Sequence, residues 1–256
     1  LKSPISWLGG KSRSVNKILP LIPDHFTYVE PFAGALWILF AKEKSKLEII
    51  NDIDGDLMNF WEVIKNAPDQ FIESFNYCLI SRKTFEEYRK KYMAKDYYDC
   101  IERAHIFYYI LKSCFGARMT HPDFGIIKQG TSNLNFDIIE RDIKAAHERL
   151  KKVVIESRDF QRVIKVYDYE KCFMFLDPPY YETARYAVGK FKDDDYINLA
   201  ELCKNLKGKF LLTINNHDFI RELFKDFIFI EHDVTYSVSK TNKERQKYGE
   251  IIIKNY

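Results

Sequence analysis

The stretch TYVEPFAGALWILFAK, residues 27–42, carries three signals in one run. Its first six residues, TYVEPF, are rich in β-branched and aromatic side chains and read as a strand. Pro31 and Phe32 close that strand, since proline has no N–H to give a ladder. Gly34 then lets the backbone turn tightly, and a helical pattern comes next. Strand, glycine turn and helix in this order suit an open α/β sheet, where ligands bind beside the carboxyl ends of strands, next to helix N-termini. Taken alone, the stretch would equally suit an ordinary turn between a strand and a helix.

The rest of the chain extends the pattern. LEIIND (47–52), VVIES (153–157), CFMFLD (172–177), FLLTIN (210–215), FIFIEH (227–232) and EIIIKN (250–255) bring the strands to seven. Residues 55–65, 196–206 and 218–224 carry apolar positions at helical spacing. Runs apolar on both faces suit a central sheet covered by helices on both sides, a doubly wound α/β core. The middle reads differently. TFEEYRKKYM (84–93) and CIERAHIFYYILKSC (100–114) are helical, and an irregular stretch punctuated by Gly, Pro and Asn covers 115–133. Residues 66–152 therefore read as a mostly helical insert with a long loop, between core segments 1–65 and 153–256.

Bulk composition narrows the function classes. The 256 residues carry a formal net charge of +3, so a nucleic-acid partner would need a local basic patch. Five widely spaced cysteines without a C-x-x-C pair predict a reduced, intracellular setting and no zinc site. No apolar run reaches transmembrane length, and no signal-peptide pattern opens the sequence.

Several short pieces are suited to chemistry. NDID (51–54) ends the second strand, and Asp52 stands about 20 residues after the first strand's turn, a spacing that suits ribose hydroxyl binding; capping the next helix is its bland alternative. Neither G-x-G-x-x-G nor G-x-x-x-x-G-K-[ST] is present, so a ligand without phosphates fits better than a dinucleotide or triphosphate. The N-terminal WLGGK (7–11) offers a tight turn with one aromatic, Trp7, and one cation, Lys11.

FLDPPYYE (175–182) is the most telling piece. Asp177 leaves its strand on the ligand side, and Pro178 and Pro179 stiffen the turn after it. The Asp177 carboxylate and the Pro178 carbonyl can both accept from one amino group, and Tyr180 offers a ring face. Such an arrangement suits an amino group on a flat ring. Tyr181 has no assignment from sequence.

These pieces in this order resemble the amino-directed DNA methyltransferases, specifically the D12 class of DNA adenine-N6 methyltransferases, of the Dam type and alpha-group order. DPPY (177–180), EPFAG (30–34), NDID and WLGGK carry the likeness. SRDF (157–160), LLTINNHDFIRELF (211–224) and ERQKYGEIIIKNY (244–256) extend it. The resemblance implies a Rossmann-like methyltransferase core, S-adenosylmethionine as methyl donor, and the N6 amino group of a flipped-out adenine in duplex DNA as acceptor. Asp177 and Pro178 would hold the amino group beside Pro179, with Tyr180 stacked on the base. Pro31, Phe32 and Gly34 would border the cofactor, Asp52 would bind its ribose, and Asp159 and Phe160 its adenine. Asp177 would also stand near its methionine end, and Trp7 and Lys11 would close over cofactor or base.

Two departures stand out. The turn reads Gly34-Ala35-Leu36 where many relatives carry a further glycine. FGARMTHPDFG (115–125) lacks the asparagine-rich block of GATC-specific members, although Arg118 could fill the place of their base-reading arginine. Lys112, Arg118, His121 and Lys128 in the insert, with Lys240, Lys243, Arg245 and Lys247, are the expected DNA contacts. No metal or membrane partner is expected, and a cognate restriction endonuclease would act separately, in a bacterial or phage-infected cytoplasm. Transfer to cytosine N4 or to RNA, and a non-catalytic DNA-binding relative, are the alternatives. The absence of a Pro-Cys dipeptide speaks against a cysteine nucleophile.

Overall fold

A computed structural model describes residues 1–7, 9–125, 134–183, 191–232 and 249–256. The chain runs α1 (Val15–Ile18), β1 (Thr27–Glu30), α2 (Trp37–Ala41), β2 (Leu47–Asn51), α3 (Gly55–Asn66), α4 (Pro68–Glu73), α5 (Arg82–Ala94) and α6 (Cys100–Ser113). It continues through α7 (Phe136–Leu150), β3 (Val154–Glu156), α8 (Phe160–Tyr167), β4 (Cys172–Leu176), α9 (Asp193–Asn205), β5 (Lys209–Asn215), α10 (Asp218–Leu223), β6 (Ile228–His232) and β7 (Glu250–Lys254). All seven strands expected from the sequence are present, and they form one sheet in the order β3-β2-β1-β4-β5-β7-β6. β1 to β5 are parallel, and β7 runs antiparallel between β5 and β6.

Side-chain alternation along the strands divides the core in two. Tyr28, Ile50, Phe173, Phe175, Leu211 and Ile252 face a cluster shared with α2 to α7. Val29, Ile49, Met174, Leu176, Leu212 and Ile253 face the other, built with α8, α9 and α10. The sheet is thus covered on both faces, which is the doubly wound α/β, Rossmann-like arrangement expected. Chain order reverses between β1 and β4, so a crevice opens at their carboxyl ends.

Local chemistry sets the helix ends. Asp54 caps α3, accepting from the N–H groups of Asp56 and Leu57, and Ser81, Asp99, Asn135 and Asp159 cap α5, α6, α7 and α8 in the same way. α9 starts one turn earlier than the sequence pattern suggests. Three acids occupy its first turn, where the helix dipole favours them, and the Asp195 carboxylate accepts from the Lys192 N–H at 2.8 Å. Pro20 confines the first helix to Val15–Ile18, which leads into a 3-10 turn, Leu19–Leu21.

The described part of the insert is helical, and it does not stand apart from the sheet. α6 is buried from Ala104 to Leu111, the mark of a helix surrounded on all sides. At the end of α7 the Arg149 guanidinium meets both oxygens of Glu48 on β2, at 2.5 and 2.8 Å, and Lys42 joins the same carboxylate at 2.6 Å. This triad ties the insert's last helix to the sheet. Among the described residues no helix is long and apolar enough to cross a membrane.

Candidate active site

Three strand ends are stitched together by Asn51. Its backbone carbonyl accepts from the Ala33 N–H at 2.8 Å. Its side-chain amide donates to the Pro31 and Arg158 carbonyls, each at 3.0 Å, and accepts from the Arg158 N–H at 2.8 Å. The loops after β1, β2 and β3 are therefore held together through this one residue.

Asp52 is the next residue. Its Oδ2 accepts from the Gly34 N–H at 3.1 Å and its Oδ1 from the Asp54 N–H at 3.0 Å. Helix capping, the other role open to Asp52, is performed by Asp54. A carboxylate offers about four acceptor sites, more than these N–H groups use, so Asp52 keeps acceptor capacity for a ligand. Burial pushes its pKa up to about 6, against the pull of the backbone N–H groups of Asp54, Gly34 and Ile53. Gly34 has φ +47°, and a Cβ there would stand 3.1 Å from Trp7 Cδ1, so the turn requires glycine on two counts. Two residues on, Leu36 adopts φ 56°, a left-handed conformation costing roughly 1–2 kcal/mol in a non-glycine residue.

The second half of the site is a charge network. The Lys11 ammonium lies 2.6 Å from Asp177 Oδ1 and 3.3 Å from Glu250 Oε1. It also lies 4.7 Å from the centre of the Tyr180 ring. Thr213 on β5 donates to Asp177 Oδ1 at 2.9 Å, and the Tyr180 hydroxyl donates to Glu250 Oε1. Burial raises the pKa of Asp177 and of Glu250, and the Lys11 charge opposes both shifts. Among the described residues nothing donates to Asp177 Oδ2 or to the Pro178 carbonyl. The Pro179 carbonyl is held instead by the Tyr196 hydroxyl at 2.9 Å.

A cavity of about 240 Å³ joins the two halves. Trp7, Lys11, Pro31, Phe32, Gly34 and Asp52 line it on the β1 and β2 side. Asp159, Phe160, Asp177, Pro179 and Tyr180 line it from β3 and β4. Pro178 is buried and is not among the residues that line it. Tyr181 packs away from it, its ring within 5.3 Å of the Tyr196, His217 and Phe219 rings, with the Asn215 side chain bonded to its backbone on both sides.

Sequence reading missed Glu30, Trp37, Phe191, Thr213 and Glu250. The Phe191 ring meets Phe32 edge-on and Phe160 at a tilt, at centroid distances of 5.9 and 5.4 Å. Glu30 is buried, accepts from Tyr28 hydroxyl and Leu39 N–H, and has its pKa raised to about 8 by burial. An acid opening the otherwise apolar run EIIIK was the available signal for Glu250.

The expected DNA contacts are more scattered. Arg118 and His121 are exposed beside α6, in a loop that pairs back at Cys114 and Phe124. Lys112 is half-buried with its ammonium 5.4 Å from the Tyr108 ring centre, and burial lowers its pKa. Lys128, Lys240, Lys243, Arg245 and Lys247 lie outside the described residues.

Comparison with known proteins agrees with this geometry. Residues 7–238 match the family described as D12 class N6 adenine-specific DNA methyltransferase. The whole chain is 29% identical to the Type II methyltransferase M.CviBI of Paramecium bursaria Chlorella virus NC1A, covering 100% of both. It is 28% identical to the Type II methyltransferase M.MjaIII of Methanocaldococcus jannaschii, covering 100% of this chain and 99% of that one. A DNA adenine methylase of Haemophilus influenzae is 25% identical, with 97% and 91% covered.

Proposed function

The chain belongs to the D12 class of N6 adenine-specific DNA methyltransferases, and on that premise we propose that it transfers a methyl group from S-adenosylmethionine to the N6 amino group of an adenine flipped out of duplex DNA. The observation that carries this reading is the placement of Asp177 on the cavity that Gly34 and Asp52 also line. Acceptors for an amino group and for ribose hydroxyls thus share one enclosure.

S-adenosylmethionine fits that enclosure by the chemistry of its walls. Asp52 would accept from the ribose hydroxyls, Phe32, Phe160 and Phe191 offer apolar surface to a flat base, and Gly34 leaves room that a Cβ would fill. When bound, the cofactor supplies an electrophilic methyl group on sulfur. The chain's own part is to orient and to offset charge. Asp177 Oδ2 and the Pro178 carbonyl would accept the two amino hydrogens and turn the nitrogen lone pair toward the methyl group. The Asp177 carboxylate then faces the positive charge that develops on the nitrogen. A stronger base is unnecessary, because a methylated, positively charged aryl amine is acidic. Most of the acceleration would come from alignment.

Arg118 and His121 would contact DNA from the insert, which would act as the target-recognition part over 66–152. The core would comprise 1–65 and 153–256.

The test is to incubate the protein with S-adenosylmethionine and duplex DNA, digest to nucleosides and weigh the product. N6-methyldeoxyadenosine is the expected outcome; N4-methyldeoxycytidine in its place, or transfer only to RNA offered in a parallel incubation, would overturn the reading.

A further inference from the structure

β7 brings against two cavity-lining residues, Lys11 and Tyr180, a carboxylate to which the transfer reaction itself assigns no role. Glu250, the first residue of that strand, is 1% exposed. Its Oε1 accepts from the Tyr180 hydroxyl and lies 3.3 Å from the Lys11 ammonium, and the Ser14 hydroxyl donates to its Oε2 at 3.4 Å. The same ammonium lies 2.6 Å from Asp177 and donates to the Gly9 carbonyl at 3.1 Å. A buried carboxylate is costly unless its partners compensate, and an apolar residue would continue the pattern of EIIIK with less expense in desolvation. Two of its partners here, Tyr180 and Lys11, are residues of the candidate site.

We propose that Glu250 is a positioning residue for methyl transfer: it anchors the Tyr180 ring by its hydroxyl and shares the Lys11 ammonium with Asp177. The inference rests on the adenine-N6 reading above. These contacts have two physical consequences. A tyrosine fixed at both its backbone and its hydroxyl presents one ring plane before the base arrives, so less orientation is lost on binding. A lysine paired with Asp177 alone would spend its whole charge there. Shared with Glu250, it leaves Asp177 more negative toward the nitrogen that becomes positive during transfer.

The experiment uses the full chain with three changes: E250Q, Y180F and both together. Single-turnover methyl transfer to duplex DNA is measured at saturating S-adenosylmethionine, with S-adenosylmethionine and DNA affinities measured by calorimetry. E250Q and Y180F are each expected to slow transfer about 10- to 100-fold, the scale of a small misplacement of reacting groups. Both affinities should stay within about threefold of wild type, and the double variant should fall no more than about threefold below the slower single one, since the two residues act as one unit. A wild-type rate in E250Q, fully multiplicative effects, or an affinity loss that accounts for the rate would each overturn the proposal. Should E250Q fail to fold, Y180F decides, because it keeps the ring and removes only the anchor. There, a wild-type rate overturns the proposal, and a slowed rate with intact affinities supports it. An error in the reaction reading shows itself in the wild-type chain as a different methylated base. The ratio of variant to wild-type rate tests Glu250 whichever base is modified.

Discussion

At the scale of single residues, surroundings set two of the site's carboxylates apart. Asp177 lines the cavity, and one of its oxygens, Oδ1, is occupied by Lys11 and Thr213. Asp177→Ala should therefore lower methyl transfer by at least about 100-fold, as losing a charge-stabilising group does. DNA binding by gel shift should persist, since Asp177 would touch only the flipped base. Asp52 makes a different prediction. Its folded pKa of about 6 stands above its ordinary 3.8 because burial disfavours the charge. A carboxyl raised in this way stabilises the fold most at acid pH, and that contribution is lost as pH rises from about 4 through 6. Ligand binding runs the other way, because the ionised form is the better acceptor of ribose hydroxyls. S-adenosylmethionine affinity measured by calorimetry should weaken as pH falls below 6 and level off above 7. In Asp52→Asn that slope should flatten.

At the scale of elements, strands were the legible part. Short β-branched runs bounded by Gly, Pro and Asp announce a buried sheet, and all seven lie where those runs stand. The glycine turn and DPPY were equally readable, because each motif is contiguous. Glu250 was not: it stands 70 residues from Tyr180, and only the pairing of β7 with β5 brings it there. Strand order depends on tertiary pairing, which no local pattern encodes. The insert's attachment was also hidden, since α6 reads as a helix from any window while its burial on all sides appears only with its neighbours. Arg149 at the end of α7 makes the attachment testable. Its guanidinium is matched to Glu48 in a buried setting, with side chains 7% and 6% exposed. Arg149→Met should cost about 3 kcal/mol in urea denaturation, because it strips one partner from a buried charge.

At the scale of the molecule, one hydrophobic cluster runs from the sheet through α2 and α3 into the insert. Trp61 is fully buried within it. Tryptophan fluorescence and helical circular dichroism should therefore report one coincident unfolding transition, while two separated transitions would show that the insert folds as its own unit. β7 carries a further meaning. It lies between β5 and β6, yet it is made after both. During synthesis the nascent chain must hold those two strands apart, or leave β5 with a bare edge, until β7 emerges from the ribosome. A chain stopped before residue 249 would lack both this strand and the anchor of Tyr180. An aborted translation product would then be an aggregation-prone and inert fragment, so methylation begins only with chains that have been read through to β7.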